Sequence, residues 1–495
     1  MGFGPLRFAG AGANPRSGLV WPLVIVGVAL GVRAISFLPD DVSWFLTVAE
    51  RTWQGERAYV DFFDPNLPAA FLIYLPAVLI GRWLDIPAEP VVTVMTVAAG
   101  CAGVWFCPDM LVRHGVVAPG HRRVLAALAL FAVLVLPCHT FAQREHIALI
   151  ATLPVLSVYI IRAHGGRPGL AAAVAAGAAA ALAVAIKPFF ALAVLPGAAY
   201  LALRDRGKPF SILLAPENVV AAGLTASYAA AIVCFFPGYI HTMLLPATAV
   251  YSSSHPPLAK IVLSRSVIGV AVAAAAMLLA AKDRLRRPEY LIPALAAAGF
   301  VAAFFIQGKY YPYHSYPAVA LFLLGAAAAL AERLTGLEIR KAWRAVAVFG
   351  FALVWVPHDF RLPLAYPGDF HVARAGSPLH PRVIAFTRSL IGPQLARYLH
   401  GSWVLRQPSL YLSLEAERML NTPGLPAEWR RRIEAVARWD AGLAEERMRT
   451  QRPDLMITDR DGLAWAQSQP AIARQLLAFR KAGATRKFAY WIRRR

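Results

Sequence analysis

Six carboxylates lie within one short stretch of an otherwise apolar chain. They follow the first run of residues that is long enough to cross a membrane, and they are Asp40, Asp41, Glu50, Glu56, Asp61 and Asp64. Two adjacent carboxylates such as Asp40 and Asp41 repel each other, which costs electrostatic energy unless the protein uses them. A carboxylate that faces a cavity at the membrane surface can remove a proton from a hydroxyl group. We therefore predict that Asp40 or Asp41 is a general base.

The alternative is that these carboxylates only cap a helix or face water. Asp40 or Asp41 can cap the following helix by accepting hydrogen bonds from its first backbone N–H groups. For Glu56 and Asp64, a solvated loop position is the favoured interpretation.

The element that must position the pair is an amphipathic helix that is predicted directly after it. Trp44 and Trp53 suit the membrane–water interface, and Gly55 closes the element. The chain then returns to the membrane at Pro68, a residue that suits the start of a helix. The apolar residues that recur on one face at helical spacing are Val42, Phe45, Val48, Ala49 and Trp53.

Composition assigns the chain to the polytopic α-helical membrane proteins. Of its 495 residues, 58% are hydrophobic and only 16% are charged, whereas soluble proteins carry about a quarter charged residues. Apolar runs of membrane-spanning length predict about 11–13 spans. The candidate spans are residues 19–38, 67–85, 90–112, 122–141, 146–162, 169–186, 188–203, 218–240, 263–281, 290–306, 313–331 and 342–357.

Basic residues predict which loops face the cytoplasm. The net charge is +22, and most of the Lys and Arg residues before about residue 345 lie in short loops, as the positive-inside rule requires. This distribution does not indicate a nucleic-acid partner. The loops concerned contain Arg113, Arg122, Arg123, Arg162, Arg167, Arg204, Arg206, Lys208, Lys282, Arg284, Arg286, Arg287, Arg333, Arg340, Lys341 and Arg344.

The remaining loops are predicted to lie on the outer side. They are residues 39–66, 141–146, 187–188, 237–262, 307–316 and everything after 357. This assignment needs an odd number of crossings between 39–66 and 113–123, yet two apolar segments lie there. Either one of the two is re-entrant or interfacial, or a span elsewhere is misplaced.

The chain divides by composition into a membrane domain, residues 1–357, and an extramembrane α/β domain, residues 358–495. We expect the second domain on the outer side, and it shows no catalytic motif. The four cysteines lie in apolar runs without a CxxC pattern, so they indicate neither a metal site nor a disulfide framework. In the second domain, strands are predicted at 382–387, 453–459 and 487–494, and helices at 426–450 and at 469–483, with Gly483 as the C-cap.

The acidic stretch resembles the first external loop of membrane glycosyltransferases with the GT-C fold, a group that includes protein mannosyltransferases and lipid A aminoarabinose transferases. That loop runs D-[DE]-x-x-Y-x-x-x-A-x-x-x-x-x-G-x-x-x-Y-x-D, followed by [HN]-P-P and a membrane helix. This chain has "NLP" in place of H-P-P and "DD" in place of D-E. The matching residues are Asp40, Asp41, Trp44 or Phe45, Ala49, Gly55, Tyr59, Asp61, Asn66 and Pro68.

The resemblance implies an inverting transfer of a sugar from a polyprenyl-phosphate donor to a hydroxyl group. Asp41, or else Asp40, would be the base, and Tyr59, Asp61 and Asn66 would belong to the acceptor side of loop one. The acceptor is a lipid, a glycan or a protein. No cofactor is required; a divalent metal is possible, but the resemblance does not indicate one. The site would lie at the outer, periplasmic face of a bacterial inner membrane.

A phosphate-bearing donor also needs cations on the same side of the membrane. The candidates for contact with the donor phosphate or sugar are Arg144, Lys187, Lys309, Tyr310 and His314. The alternatives are an interfacial ion pair for Arg144, snorkelling for Lys187 and an aromatic belt for the tyrosines.

Two other functions fit a chain of this class. A transporter or flippase of lipid-linked sugars would carry ionisable or broken spans at the membrane midplane, often in repeated halves, and no repeat is evident. A non-catalytic assembly subunit would use its external domain to bind a partner and would not depend on the loop-one carboxylates.

Overall fold

The structure of the chain is a computed structural model that describes residues 17–204, 210–334, 339–359 and 368–494. Arg206 and Lys208, which are predicted to lie in a basic loop, are outside the described residues. The chain forms two compact units. The first unit comprises Met1–Ser36, Val92–Ala229 and Pro256–Leu362, and the second comprises Phe37–Val91, Ala230–His255 and Pro363–Arg495. The predicted first external loop therefore groups with the C-terminal residues.

The chain up to residue 359 is almost entirely helical. In chain order, the helices are α1 Ser17–Ala34, α2 Asp40–Trp53, α3 Ala69–Leu72, α4 Leu75–Leu84, α5 Ala88–Arg113, α6 Arg122–Leu130, α7 Arg144–Ala163, α8 Leu170–Ile186, α9 Ala191–Arg204, α10 Pro216–Phe235, α11 Leu244–Pro246, α12 Leu258–Val262, α13 Arg265–Ala280, α14 Pro288–Gln307, α15 Pro312–Leu334 and α16 Ile339–Asp359.

Short 3₁₀ and π turns interrupt this pattern. The 3₁₀ turns are Pro119–His121, Cys138–Thr140 and Pro188–Phe190, and the π turns are Phe131–Val135, Tyr239–Met243 and Ala247–Ser252.

Five described helices are long and apolar enough to cross a membrane, and six shorter apolar helices accompany them. This confirms the prediction of a multi-span helical protein. The predicted span 122–141 is not one α-helix, because α6 ends at Leu130 and a π turn and a 3₁₀ turn follow it. The predicted span 67–85 is broken into α3 and α4. Over residues 69–84, a helix rising about 1.5 Å per residue is only about 24 Å long, which favours an interfacial or re-entrant segment over a full crossing.

Small residues allow the helices of the first unit to pack closely. Gly299 of α14 lies against the backbone of α9, and a Cβ atom on Gly299 would overlap the carbonyl oxygen of Leu192. Close approach of this kind is typical of membrane helices, which pack through small residues because lipid supplies no hydrophobic driving force between them. The alanine- and glycine-rich composition of these spans therefore has a packing role.

The C-terminal part of the second unit is an α/β domain. Its strands are β1 Arg382–Phe386, β2 Ser402–Trp403, β3 Leu455–Thr458, β4 Phe479–Ala484 and β5 Ala489–Arg493, and its helices are α17 Gly368–Gly376, α18 Ile391–Tyr398, α19 Tyr411–Leu420, α20 Ala427–Gln451, α21 Arg460–Ser468 and α22 Pro470–Leu476. The sheet order is β2-β1-β3-β5-β4. β1 is parallel to β2 and β3, whereas β5 is antiparallel to β3 and β4.

The three predicted strands are confirmed as β1, β3 and β5, and the helix predicted at 426–450 is confirmed as α20. The helix predicted at 469–483 is wrong in its second half. That half forms β4, because pairing with β5 outweighs the local helical preference. Gly483, predicted as a helix C-cap, instead follows a register shift in β4, which is a position that suits glycine.

We expect Gly299→Ala to destabilise the protein by about 1–3 kcal/mol or more, because the added methyl group must push α14 away from α9. The measurement is the thermal unfolding midpoint in detergent. Gly223→Ala is the matched control, since no atom lies within 4 Å of a Cβ at that position in α10. The control should be neutral or slightly stabilising. Equal midpoints for the two variants would contradict the packing argument.

Candidate active site

The paired aspartates lie at the start of α2 in the second unit. Pro39 occupies the N-cap position without a side-chain hydrogen bond, and Asp40 and Asp41 lie in the first turn. The alternative in which one of them occupies the cap position is therefore wrong. The Asp40 carboxylate still accepts a hydrogen bond from the backbone N–H of Asp41, with an N–O distance of 3.0 Å. The helix thus presents two carboxyl groups at its N-terminal end, where the helix dipole favours negative charge.

The environment of Asp40 changes its acidity. The side chain is half-buried, and burial together with the negative charge of Asp41 raises the pKa of Asp40 to about 7. Hydrogen bonds from the backbone oppose this shift but do not cancel it. A carboxyl group with a pKa near neutral can both accept and release a proton at the pH of a cell, which is the property that a general base requires.

Asp64 organises the loop that follows α2. Its side chain is only 2% exposed, so the prediction of a solvated position is wrong. One carboxylate oxygen accepts a hydrogen bond from Nε1 of Trp44 at 2.6 Å. The other accepts from the backbone N–H of Asn66 at 2.8 Å and from its Nδ2 at 2.7 Å. Trp44, predicted for the membrane interface, is buried and ties α2 to this loop.

The remaining loop-one candidates make contacts within the loop. Tyr59 is fully buried, and its hydroxyl donates to the backbone oxygen of Asn66 at 2.6 Å. Asp61 accepts from the backbone N–H of Arg57 at 2.8 Å, and this hydrogen bond lowers the pKa of Asp61. Tyr59, Asp61 and Asn66 therefore shape the loop in the structure. A contact of theirs with an acceptor stays a prediction.

Arg397 holds α2 in place from the C-terminal part of the same unit. This residue of α18 forms a bidentate ion pair with Glu50 of α2, at 2.7 and 2.9 Å, and a further one with Glu89 at 2.6 Å. The sequence analysis missed Arg397, because nothing local to residue 397 indicates a partner about 350 residues earlier.

The first unit contains a second group of candidates, which we call the cation cluster: Arg144, Glu145, Lys187, Gln307, Lys309 and His314. Lys187 lies in the turn between α8 and α9 and is 8% exposed. Its Nζ donates to Oε1 of Glu145 at 2.5 Å and to Oε1 of Gln307 at 2.7 Å, and lies 3.2 Å from Nε2 of His314. Lys187 is thus paired inside the protein, and the snorkelling alternative is wrong.

The other basic members of the cluster are buried as well. Arg144, at the start of α7, is 2% exposed, and Lys309 is 6% exposed. The positive charges of Lys187, Arg144 and Lys309 all act on His314. The cluster contains three cationic side chains and one carboxylate, Glu145, which is fully buried.

Oε2 of Glu145 and Nδ1 of His314 have no hydrogen-bond partner in the part of the chain that the structure describes. Buried polar groups are nearly always satisfied, so such atoms indicate a position where water or a ligand binds. The backbone of Tyr310 has a positive φ. Its ring stacks on the ring of Tyr311, and the centroid of the Tyr310 ring lies 5.4 Å from Nζ of Lys260.

The structure distributes the predicted site residues between the two units. Asp40, Asp41, Tyr59, Asp61 and Asn66 belong to the second unit, and Arg144, Lys187, Lys309, Tyr310 and His314 belong to the first. Glu145 and Gln307 were not singled out from the sequence. Glu145 lies at the start of α7, and Gln307 ends α14. A polar residue at the end of an apolar helix is the sequence signal that could have identified both. Among the described residues, no group of three or more His, Cys, Asp or Glu side chains could hold a metal ion.

Comparison with known proteins identifies the fold. ArnT from Cupriavidus metallidurans bound to undecaprenyl phosphate has a TM-score of 0.57 at 13% identity, covering 95% of this chain and 97% of ArnT. The apo form of the same protein has a TM-score of 0.55 at 13% identity, covering 96% and 98%. The arabinofuranosyltransferase AftD from Mycobacteria has a TM-score of 0.48 at 15% identity, covering 98% of this chain and 40% of AftD.

No protein-family model matches the chain. No curated protein matches it either. The likeness to ArnT confirms the predicted fold class, which is a GT-C membrane fold with a small C-terminal α/β domain.

The raised pKa of Asp40 predicts how its neutral replacement changes stability with pH. The folded state binds the Asp40 proton more tightly than the unfolded state does. The contribution of Asp40 to the free energy of unfolding of the wild type therefore falls as pH rises from ~4 to ~7. Asp40→Asn should therefore raise the unfolding midpoint relative to wild type by much more at pH 8 than at pH 5, and by little below pH ~4.

Asp61→Asn is the control with the opposite sign. Because its hydrogen bond from Arg57 lowers the pKa of Asp61, the wild-type carboxylate stabilises the protein above the unfolded pKa, and this replacement should lower the midpoint at pH 8. If Asp40→Asn changes the unfolding midpoint relative to wild type by the same amount at pH 5 and at pH 8, the pKa of Asp40 is not raised.

Proposed function

We propose that this protein is an inverting glycosyltransferase that moves a sugar from a polyprenyl-phosphate donor to a hydroxyl group of an acceptor. The observation that carries the proposal is the cation cluster, which contains three buried basic side chains and one carboxylate in a chain with the GT-C fold. Buried cations are expensive in a membrane protein and mark sites that bind charged ligands.

The donor phosphate suits the cation cluster. Lys and Arg side chains form charge-assisted hydrogen bonds to phosphate oxygens, and these bonds are about twice as strong as neutral ones. Glu145 positions Lys187 through the 2.5 Å contact, which fixes the ammonium group without a solvent-exposed partner. Of the similar structures, ArnT was solved with undecaprenyl phosphate, a lipid of the donor class proposed here.

The acceptor hydroxyl is activated by the Asp40–Asp41 pair. One carboxylate takes the hydroxyl proton while the hydroxyl oxygen bonds to the anomeric carbon of the sugar. The bond from that carbon to the phosphate oxygen breaks, and the polyprenyl phosphate leaves with the electron pair. Attack from the face opposite the leaving group inverts the anomeric carbon. Asp41 is the preferred base from the sequence, whereas the pKa near 7 favours Asp40, so each must be tested.

The setting proposed for this reaction is the outer face of a bacterial inner membrane. The support is the positive-inside bias of the basic loops, which leaves the loop-one carboxylates and the α/β domain on the outer side. The acceptor is a lipid, a glycan or a protein. The proposed chemistry uses the chain's own side chains and assigns no step to a cofactor.

The first test is turnover of polyprenyl-phosphate sugars by the purified protein in detergent. We expect Asp40→Asn or Asp41→Asn to reduce transfer or release of the sugar by about 10²–10⁴-fold, because a general base contributes that much. Asp461→Asn is the matched control, since it removes an exposed carboxylate from the first turn of α21.

Folding of each variant is checked by its unfolding midpoint. If both loop-one variants turn over like wild type, the pair is not catalytic. If a wild type given donor and acceptor consumes no donor but moves it across a vesicle membrane, the protein is a flippase instead.

The second test is binding of undecaprenyl phosphate to the cation cluster. Lys187→Met should weaken binding at least about tenfold, the loss expected from one charge-assisted hydrogen bond. That variant leaves Glu145 buried without its counter-ion, so the double variant Lys187→Met, Glu145→Gln separates binding from folding. It should restore the unfolding midpoint but not the affinity.

Lys282→Met, which changes an exposed lysine after α13, is the control and should bind like wild type. A double variant that binds the lipid as tightly as wild type would place the phosphate elsewhere.

A further inference from the structure

The α/β domain contains a cavity that the transfer reaction does not use. Its volume is about 340 Å³, within the range of small-molecule sites. It lies where the C-terminal end of α20 meets α22 and the end of β5. The charged and polar side chains that line it are Arg449, Arg452, Arg474, Arg493, Glu445 and Gln475. We call it the arginine groove.

The charges of the arginine groove are unbalanced. Four guanidinium groups and one carboxylate line it, and no carboxylate of the described chain forms an ion pair with Arg449, Arg452 or Arg474. Arg449, Arg452 and Arg474 are exposed, so their donors are accessible from the solvent. Other arginines of the same domain are paired, as Arg382 is with Asp454 at 3.0 Å. The arginines that line the cavity therefore face it with a single carboxylate, Glu445, among the lining residues.

Arg493 is held in position by its contacts, and Arg452 has an unusual backbone conformation. Nε of Arg493 donates to the backbone oxygen of Pro453 at 2.9 Å, and its guanidinium lies 4.9 Å from the ring centroid of Phe479. Burial lowers the pKa of Arg493, and the positive charges of Arg382 and Arg452 lower it further, against the opposing effect of Asp454. Arg452 ends α20 with φ of +42°, in a conformation that glycine or asparagine adopts at lower cost.

We propose that the arginine groove binds a phosphate group through Arg449, Arg452, Arg474 and Arg493. A tetrahedral anion accepts hydrogen bonds from several guanidinium groups at once, and the planar guanidinium fork matches two phosphate oxygens. The ligand is a phosphate monoester or diester, carried either by a lipid headgroup or by a soluble phosphorylated compound. This site is distinct in sequence and composition from the cation cluster, and the inference does not depend on the transfer reaction.

The experiment is calorimetric titration of the full chain in neutral detergent with inorganic phosphate at low ionic strength. Arg449→Gln combined with Arg474→Gln should weaken the phosphate binding that belongs to the groove by at least about tenfold. Both substitutions lie on exposed helical positions, so the fold should persist, and the unfolding midpoint checks this. Replacing the same two residues by lysine should retain part of the affinity. Lysine keeps the positive charge but lacks the planar guanidinium group that matches two phosphate oxygens.

Two controls assign the signal to the groove. Arg431→Gln combined with Arg438→Gln makes the same charge change at exposed positions of α20 that do not line the cavity, and it should bind phosphate like wild type. The Lys187→Met, Glu145→Gln variant of the cation cluster should keep the groove signal. The proposal is overturned if wild type binds no phosphate, or if the groove double variant binds it as wild type does.

Reconstitution in nanodiscs distinguishes the two sources of phosphate. If phosphatidylglycerol abolishes the groove signal for inorganic phosphate and phosphatidylcholine alone does not, a lipid headgroup occupies the site. If the signal is the same in both lipids, the ligand is a soluble phosphorylated compound. Either result supports phosphate recognition at the groove, provided that the signal is lost in the groove double variant.

Discussion

A buried charge must have a partner, and the rest of this structure depends on that constraint. The ion pair between Lys187 and Glu145 is an example of it. Taking an ion out of water costs several kcal/mol, and removing one member of a buried pair leaves that cost uncompensated. Lys187 meets the constraint through contacts to Glu145, Gln307 and His314. These partners come from three different helices, so one lysine fixes the relative positions of α7, α14 and α15 at their ends.

The same constraint operates in the second unit through Arg397. Its guanidinium group joins Glu50 and Glu89, and so it connects α18 of the α/β domain to α2 and to the start of α5. Asp64 has an equivalent role without a cation, since three hydrogen-bond donors satisfy its buried carboxylate. Helix α2, which carries the paired aspartates, is therefore positioned by Arg397 at Glu50 and by Asp64 at Trp44.

The sequence predicts much of this fold but fewer of its contacts. Hydropathy identifies most of the spans because each apolar run carries its own signal, and short apolar runs identify β1, β3 and β5 for the same reason. The error at 469–483 arises because β4 exists only through pairing with β5, which local sequence does not contain. Asp64 and Arg397 could not be assigned from sequence, because their partners are distant in the chain or are backbone groups. Lys187 could, because a lysine among apolar residues is costly wherever it lies.

Asp40 differs from Glu50 and Glu56 in a way that bears on catalysis. Glu50 forms an ion pair with Arg397, and Glu56 forms one with Arg51. Asp40 pairs with no basic side chain of the described chain, and its carboxylate accepts a hydrogen bond from the backbone N–H of Asp41. An arginine beside Asp40 would favour the ionised form and make it a weak base. Asp40 instead lies beside another carboxylate, Asp41, whose negative charge helps to raise the pKa of Asp40 to about 7. A carboxylate with that pKa is an effective proton acceptor at neutral pH.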